Sequence, residues 1–507
     1  MKKLSLLLIL NIALLSSCND GISVSTDVNN SFSDSSSLSS ADSGNDGYTR
    51  LSSSVETYHS FGKHSLEKKI FSNAIGDIKT LVVPVIIDGY EEYATEEIRN
   101  NIELAFFGKN SPKLWESVSS YFYKSSYGKL NLSGEVTPWV DIDMTPKDIY
   151  NANNQYYDYG TFTVLEKVYD WLKNNNYDLS QYDLDEDGYI DSIYMIYSAP
   201  SRIEFDGVEA NNPDNPFWAL TYHDFNIVNN AHSHANPIPN AYSWASFDLM
   251  NKGTTVGITV DAHTYIHEMG HIFGLVDYYD YDGLHSPLGC FDMQDFNVGD
   301  HNAYSKYALG WVEPYLVESD ATITINPMES SGDCIIVRNP NSKFSNSAFD
   351  EYLMLELITP TGLWKQDSEK AYPGLNTKTF TNAGVRITHV DGRLRNNRGN
   401  IVTTISNGDS VTHLASNTPS RSFVKTGMPK YDLISIVNAN RATGTQTNAL
   451  ATATNQSLFK AGQIFTSGDY SSFFRGGQFN NGESIPFKIT FQEVNDTKAV
   501  INFRYIG

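Results

Sequence analysis

Residues 265–277 read Tyr265-Ile266-His267-Glu268-Met269-Gly270-His271-Ile272-Phe273-Gly274-Leu275-Val276-Asp277. Apolar residues at 262, 266, 269 and 273 recur at helical spacing and make one buried stripe. Gly274 stands where a left-handed helix stop is wanted, so the spacing predicts a helix that ends at this glycine.

On such a helix His267 and His271 lie one turn apart on the same face. Their imidazole nitrogens can then converge on one metal ion at about 2.0–2.1 Å. Glu268 follows the first histidine directly, so its carboxylate lies beside the metal without ligating it. There it can take a proton from a water whose pKa the metal lowers to about 7. This is the HExxH arrangement of zinc peptidases. The turn after Gly274 reverses the chain and can bring Asp277 back as a third ligand, leaving the fourth tetrahedral position to water. Asp280, His285 and His301 are the alternatives for that third place. Tyr278 and Tyr279 follow and could donate to an oxyanion, but packing is the commoner role and neither is assigned one.

A second constellation is Asp183-Leu184-Asp185-Glu186-Asp187-Gly188-Tyr189-Ile190-Asp191. Carboxylates at positions one, three, five and nine with glycine at six have the spacing of an EF-hand-type loop, whose hard oxygens suit calcium, and Tyr189 takes the backbone-carbonyl position. Position twelve is Tyr194 instead of a bidentate Glu, and a strand follows where an EF-hand has a helix. The competing reading is a solvated acidic turn. His232-Ser233-His234 is read as an exposed Asn/Pro-rich loop, and His389 as structural.

The chain has 507 residues and a formal charge of 36 − 59 = −23, which argues against a nucleic-acid partner. Three cysteines are too few for a disulfide scaffold. Whether Cys290 and Cys334 pair is not legible in the sequence. Met1-Lys2-Lys3 and the apolar run Leu4 to Leu15 form a signal peptide too short to span a bilayer. It closes with Leu15-Ser16-Ser17-Cys18, similar to a bacterial lipobox, which makes Cys18 the expected lipidation site. The lipid bilayer is then a partner through the acylated cysteine, and the product is an exported lipoprotein, outer-membrane or cell-surface associated, or secreted.

From Asn19 to about Ser54 the composition is that of a flexible Ser/Asp/Asn stalk, and Val55 to Asp77 is either its end or a short prosegment. Order is expected near Lys79, in a buried strand whose Pro84 weakens a central position. Helices at Thr95 to Phe107, Lys113 to Lys124 and Phe162 to Asn174 alternate with strands at Leu130 to Val136 and Ile190 to Tyr197. After about Pro314 helices nearly vanish. Phe487, Ile489 and Phe491, and then Ala499, Ile501, Phe503 and Tyr505, place apolar side chains on one strand face around an Asn495-Asp496 turn.

The stretch His267 to Asp280, HEMGHIFGLVDYYD, resembles the immune inhibitor A-like (InhA-type) secreted metallopeptidases, relatives of the metzincins in which an Asp occupies the third histidine's place. Further blocks agree in order: Ser117 to Leu130 (SVSSYFYKSSYGKL), Asp185 to Asp191 (DEDGYID), and Asp300 to Lys306 (DHNAYSK) before Gly310-Trp311. The resemblance implies a zinc endopeptidase acting on extracellular proteins, with the zinc helix at the floor of a cleft and a similar calcium loop. Two departures stand out. Val276 replaces a frequent proline. In the supporting methionine turn, Phe291-Asp292-Met293-Gln294, the expected methionine position is held by Gln294.

The expected chain is thus α+β: a lipoprotein signal peptide over 1–17, a linker or prosegment over 18–75, a metzincin-like catalytic domain over 76–315, and an all-β C-terminal domain over 316–507. Its expected activity is zinc metalloendopeptidase, on protein or peptide substrates outside the cytoplasm, with Glu268 as general base. The alternative is a non-catalytic cell-surface binding protein built on a degenerate peptidase fold.

Overall fold

A computed structural model describes residues 46–52, 56–64, 71–152, 160–223, 231–396, 400–401, 412–418, 432–441 and 451–507. Cys18 and the expected signal peptide lie outside them. The chain is α+β with mixed sheets. Among the described residues no helix is long and apolar enough to cross a membrane.

In chain order the first half contains β1 (Tyr48–Arg50), α1 (Tyr58–His64), β2 (Gly76–Ile86), α2 (Glu96–Phe107), α3 (Val118–Ser125), β3 (Leu130–Val136), β4 (Val140–Asp141), α4 (Pro146–Asn151), α5 (Thr161–Asn174), β5 (Tyr189–Ile190), β6 (Ile193–Tyr197), β7 (Leu220–His223), β8 (Ile238–Pro239), β9 (Ala241–Ser246) and α6 (His263–Ile272). One sheet runs β3-β2-β6-β9-β7, with β4 paired to β2. Its pairings are parallel except the last, where β7 lies antiparallel to β9. Helix α6 packs against β9 and β7, which sets the edge strand beside the histidines.

Pro84 sits in an interior strand, β2, between β6 and the β3/β4 flank, contrary to the expected weakening, for a local reason. Leu81 N–H donates to Ser192 O and Val85 O accepts from Ser198 N–H, so odd residues of β2 bond toward β6. The Pro84 nitrogen therefore faces the other flank, where pairing breaks between Val82↔Val136 and Val85↔Val140. A missing donor costs nothing in that gap.

Other expectations shift at their ends. The helix expected from Lys113 begins at Val118, because Ser117 and Ser120 form a reciprocal capping box. The strand expected over Ile190 to Tyr197 is broken: β5 pairs with β8, β6 joins the main sheet, and Asp191 N–H between them donates to Tyr182 O at 2.7 Å.

The stalk reading needs correction at its C-terminal end. β1 pairs antiparallel with Tyr315–Val317, and Tyr48 meets Tyr315 edge to face. Leu51, Tyr58, Phe61 and Phe71 are all buried. Serine-rich composition hid a strand whose partner is more than 260 residues away. The segment runs on as a strap: Ser72 N–H donates to Ile272 O at the end of α6, and the Trp311 indole donates to Ala74 O at 2.7 Å.

Beyond residue 315, a six-stranded sheet takes β1, Tyr315–Val317, Cys334–Val337, Glu351–Ile358, Gly384–Asp391 and Ile434–Ile436 in that order. A four-stranded sheet takes Ala321–Ile325, Ala499–Tyr505, Phe487–Val494 and Ile464–Phe465. Short helices remain at Met328–Ser331 and Lys365–Glu369. Phe487, Ile489, Phe491, Ala499, Ile501 and Phe503 are fully buried, whereas Tyr505 lies exposed at the strand end. One core, including Tyr58, Tyr265, Tyr304, Ile336 and Met354, runs through both halves. Cys290 and Cys334 are both buried free thiols.

Tyr58 is central to the strap: its ring meets Phe71 and Phe349, and its hydroxyl lies 3.1 Å from that of Tyr304. Tyr58→Ala should lower the unfolding free energy by about 3–5 kcal/mol, the usual cost of emptying an aromatic site, read as a shifted urea midpoint at unchanged slope.

Candidate active site

Helix α6 is set at both ends by short-range chemistry. Asp261 Oδ1 accepts the His263 backbone N–H at 2.9 Å and lies 2.6 Å from its ring Nδ1, anchoring the first turn. At the other end Gly274 has φ +97°, and Leu275 N–H returns to Gly270 O at 3.0 Å. A Cβ on Gly274 would stand 2.8 Å from the Tyr58 Cβ, so glycine is required twice over, by conformation and by the strap. The chain then reverses and delivers Asp277.

His267 Nε2 and His271 Nε2 are 3.2 Å apart, with their rings nearly perpendicular. Asp277 Oδ1 lies 2.9 Å from the first and 3.4 Å from the second. Each opposite ring nitrogen, Nδ1, faces a backbone carbonyl: Met293 O at 2.8 Å for His267 and Leu275 O at 2.7 Å for His271. A carbonyl only accepts, so each Nδ1 is the donor to it and Nε2 is the ring atom turned inward, where it can offer a lone pair to a metal. The buried Asp277 Oδ1 has no regular hydrogen bond in this arrangement. Three electron-pair donors thus face one point. A tetrahedral zinc with bonds of about 2.0–2.1 Å has ligand–ligand edges of about 3.3 Å, and the observed triangle fits.

The groups of the site also act on one another electrostatically. Burial alone would raise the Asp277 carboxyl, yet the two imidazoles override it and hold the group well below the usual carboxylate range. For His271 burial pulls down, but Asp277 and Glu268 push it up to about 9. Glu268 is raised by burial, with both imidazoles and a hydrogen bond from Thr221 opposing.

Of the other candidates for the third ligand, none joins the group. The Asp280 carboxylate accepts the backbone N–H of Asp282, Leu284 and His285. His285 is held between Asp280 and Asp432, at 2.8 and 2.9 Å. His301 is buried between Tyr121 and Gln294. Gln294 fills the space beneath α6, where a Cβ on Gly270 would come within 2.4 Å of its Oε1. Met293 contributes its carbonyl to His267. The Tyr278 hydroxyl is bound to Ser305 Oγ at 2.7 Å, inside the core. Tyr279 is half-buried, its ring 6.5 Å from that of His267.

Two contributors carry no sequence signal. Tyr281 donates its hydroxyl to Asp277 Oδ2, four residues on, among several tyrosines indistinguishable by pattern. Thr221 donates to Glu268 from the edge strand β7. Nothing local marks it.

In the acidic loop, Asp183, Asp185 and Asp187 bring carboxylate oxygens within 4.8 Å of one another. Asp183 is fully buried, and its Oδ1 has no hydrogen bond from a described residue. Gly188 takes φ +87° at the sixth position, and Tyr189 N–H donates to Asp187 Oδ1. Asp191 stands outside the group. Its Oδ2 accepts Leu184 N–H at 2.8 Å, and burial pushes its carboxyl up to about 7. The Tyr189 side chain lies against the His232 ring. The His232-Ser233-His234 loop is exposed at Ser233 and His234, as read from the sequence, and it borders the acidic loop, with His234 Nδ1 3.3 Å from Asp183 Oδ2.

No family model matches the chain, and no curated protein matches it. The donor geometry therefore bears the functional argument.

Replacing Tyr281 by Phe removes the donor that orients Asp277. Zinc affinity should fall about 10- to 100-fold, measured by competition with a chromogenic chelator. For the acidic loop, calcium at about a hundred times its dissociation constant should add about 2.7 kcal/mol to stability, and Asp183→Asn should abolish the response in thermal unfolding.

Proposed function

We propose that the chain is a zinc-dependent endopeptidase that hydrolyses proteins or peptides outside the cytoplasm. The observation that carries the proposal is the convergence of His267 Nε2, His271 Nε2 and Asp277 Oδ1 on one point, with Glu268 buried beside them on the same helix. The mixed sheet with α6 against its edge supports a metzincin-like catalytic unit of the InhA type. The strand-rich region after residue 315 is proposed as an accompanying β domain, Cys18 as the lipid anchor, and calcium as the ligand of the acidic loop.

His267, His271 and Asp277 would hold the zinc. When bound, zinc supplies Lewis acidity toward the scissile carbonyl and acidifies a water to a pKa of about 7. The protein's own part is proton handling and orientation. Glu268 is placed to accept a proton from the attacking water and to pass it to the leaving amine. The bonds from each Nδ1 to a carbonyl keep both rings in one tautomer and one orientation throughout. Three protein ligands leave a position open, which suits catalysis better than a closed structural site.

Glu268→Gln should keep the zinc content of the wild type while cleavage of an unstructured protein falls by about 10²- to 10⁴-fold, followed by mass spectrometry of the digest. Stoichiometric zinc in the wild type without cleavage of any member of a peptide library would sink the peptidase reading and favour a binding protein.

A further inference from the structure

We infer that Thr221, on the edge strand β7, is a positioning residue for Glu268: its hydroxyl holds one carboxylate oxygen so that only the other is left to carry the water's proton. The inference rests on the peptidase reading above and adds to it a residue outside the HExxH helix.

Proton counting supports the assignment. Thr221 Oγ1 lies 2.9 Å from Glu268 Oε2, 3.0 Å from Glu268 O and 2.8 Å from Ser243 Oγ. The hydroxyl has one proton to give. An ionised carboxylate and a carbonyl can only accept, so that proton goes to Glu268, shared between Oε2 at 2.9 Å and the backbone carbonyl at 3.0 Å, with the charged carboxylate the stronger acceptor. Ser243 is fully buried and stands opposite Thr221 in the β7–β9 ladder, so its own proton is donated to Thr221 Oγ1. The result is a fixed relay from Ser243 to Thr221 to Glu268, anchored on the strand next inward. Glu268 Oε1, by contrast, receives no hydrogen bond from a described residue.

The bond to Oε2 is compatible with both states that a general base must visit. Ionised Glu268 accepts it as a carboxylate. Once Oε1 has taken a proton, Oε2 is the carbonyl oxygen of the acid and still accepts. The hydroxyl thus need not reorient during turnover, and the proton is confined to the oxygen that Thr221 leaves vacant. Removing the hydroxyl frees the carboxylate to rotate and leaves Ser243 without its acceptor.

Two variants and one cycle test this. Thr221→Val keeps shape and strand preference but lacks the hydroxyl, whereas Thr221→Ser keeps the hydroxyl. In zinc-loaded protein, the valine variant should lose about 10- to 100-fold in kcat with KM and zinc content unchanged, and the serine variant should recover most of it. A role confined to pinning β7 on α6 would instead leave kcat intact while stability falls. Independently of activity, urea unfolding of the metal-free full chain with Thr221→Val, Glu268→Ala and both together should be non-additive. Additive effects would mean that Thr221 bonds only the backbone of residue 268 and would overturn the inference, as would an unchanged kcat in the valine variant. If the wild type cleaves nothing, the peptidase reading fails, and the unfolding cycle still decides whether Thr221 holds the Glu268 carboxylate.

Discussion

Two imidazoles and a carboxylate held with their lone pairs facing one another, at 2.9–3.4 Å, form an arrangement that a folded chain does not keep without cause. Within the group the charges balance one another: Asp277 and Glu268 raise His271, and the two imidazoles depress Asp277. A divalent cation would engage all three donors at once. The surrounding structure keeps the rings from turning away. His271 is tied to Leu275 O within the helix stop itself, and His267 to Met293 O on a neighbouring turn. That turn is held in its place by Asp292, whose Oδ1 accepts Gln294 N–H while its Oδ2 accepts both N–H groups offered by Asn302. Geometry at the proposed zinc is thus set by backbone carbonyls whose positions depend on turns some distance from the ligands.

That dependence explains which parts of the site were legible in the sequence. His267, Glu268, His271 and Asp277 fall within eleven residues, and the relation among them is a property of one helix turn and one glycine stop. Local periodicity suffices to place them. Thr221 precedes Glu268 by 47 residues and reaches it only because β7 is antiparallel to β9 and lies against α6. Met293 and Leu275 act through backbone atoms, which no residue pattern reports. Gln294 is instructive: reading the turn as a methionine turn makes it a defect, whereas the structure shows its side chain packed on Gly270, where any larger residue on the helix would collide.

The fold divides along the same line. The final two strands were readable because alternation alone specifies a half-buried strand, and the one disagreement, Tyr505, lies past the end of the Ala321–Ile325 strand, where only Phe487 still pairs with it. Pro84 misled because proline argues against a central strand only if its nitrogen faces a partner, and facing is set by pairing with β3 and β4, not by β2 itself. Three residues at Tyr48–Arg50 could not be read as a strand inside a serine-rich stretch. Their partner contributes most of the information, and it comes from residues 315–317.

The strap that follows β1 ties these observations together. Its Ser72 spans two elements at once: the backbone N–H donates to Ile272 O at the end of α6, and the hydroxyl donates to Asp191 O beside the acidic loop. His59 adds a second link, with Nδ1 on Phe71 O at 2.6 Å and Nε2 3.6 Å from Asp185 Oδ2. The helix stop at Gly274, in turn, is shaped to receive Tyr58 and Phe71. A segment that buries aromatic residues against the end of the histidine helix and completes a sheet with strands beyond residue 315 is part of the folded unit. Cleaving it away would expose Tyr304 and leave Ile272 O without its donor. The sequence alone leaves residues 55–77 open between stalk and prosegment. The contacts of its described residues His59, Phe71 and Ser72 favour a third role for those residues, a brace between the end of α6 and the acidic loop.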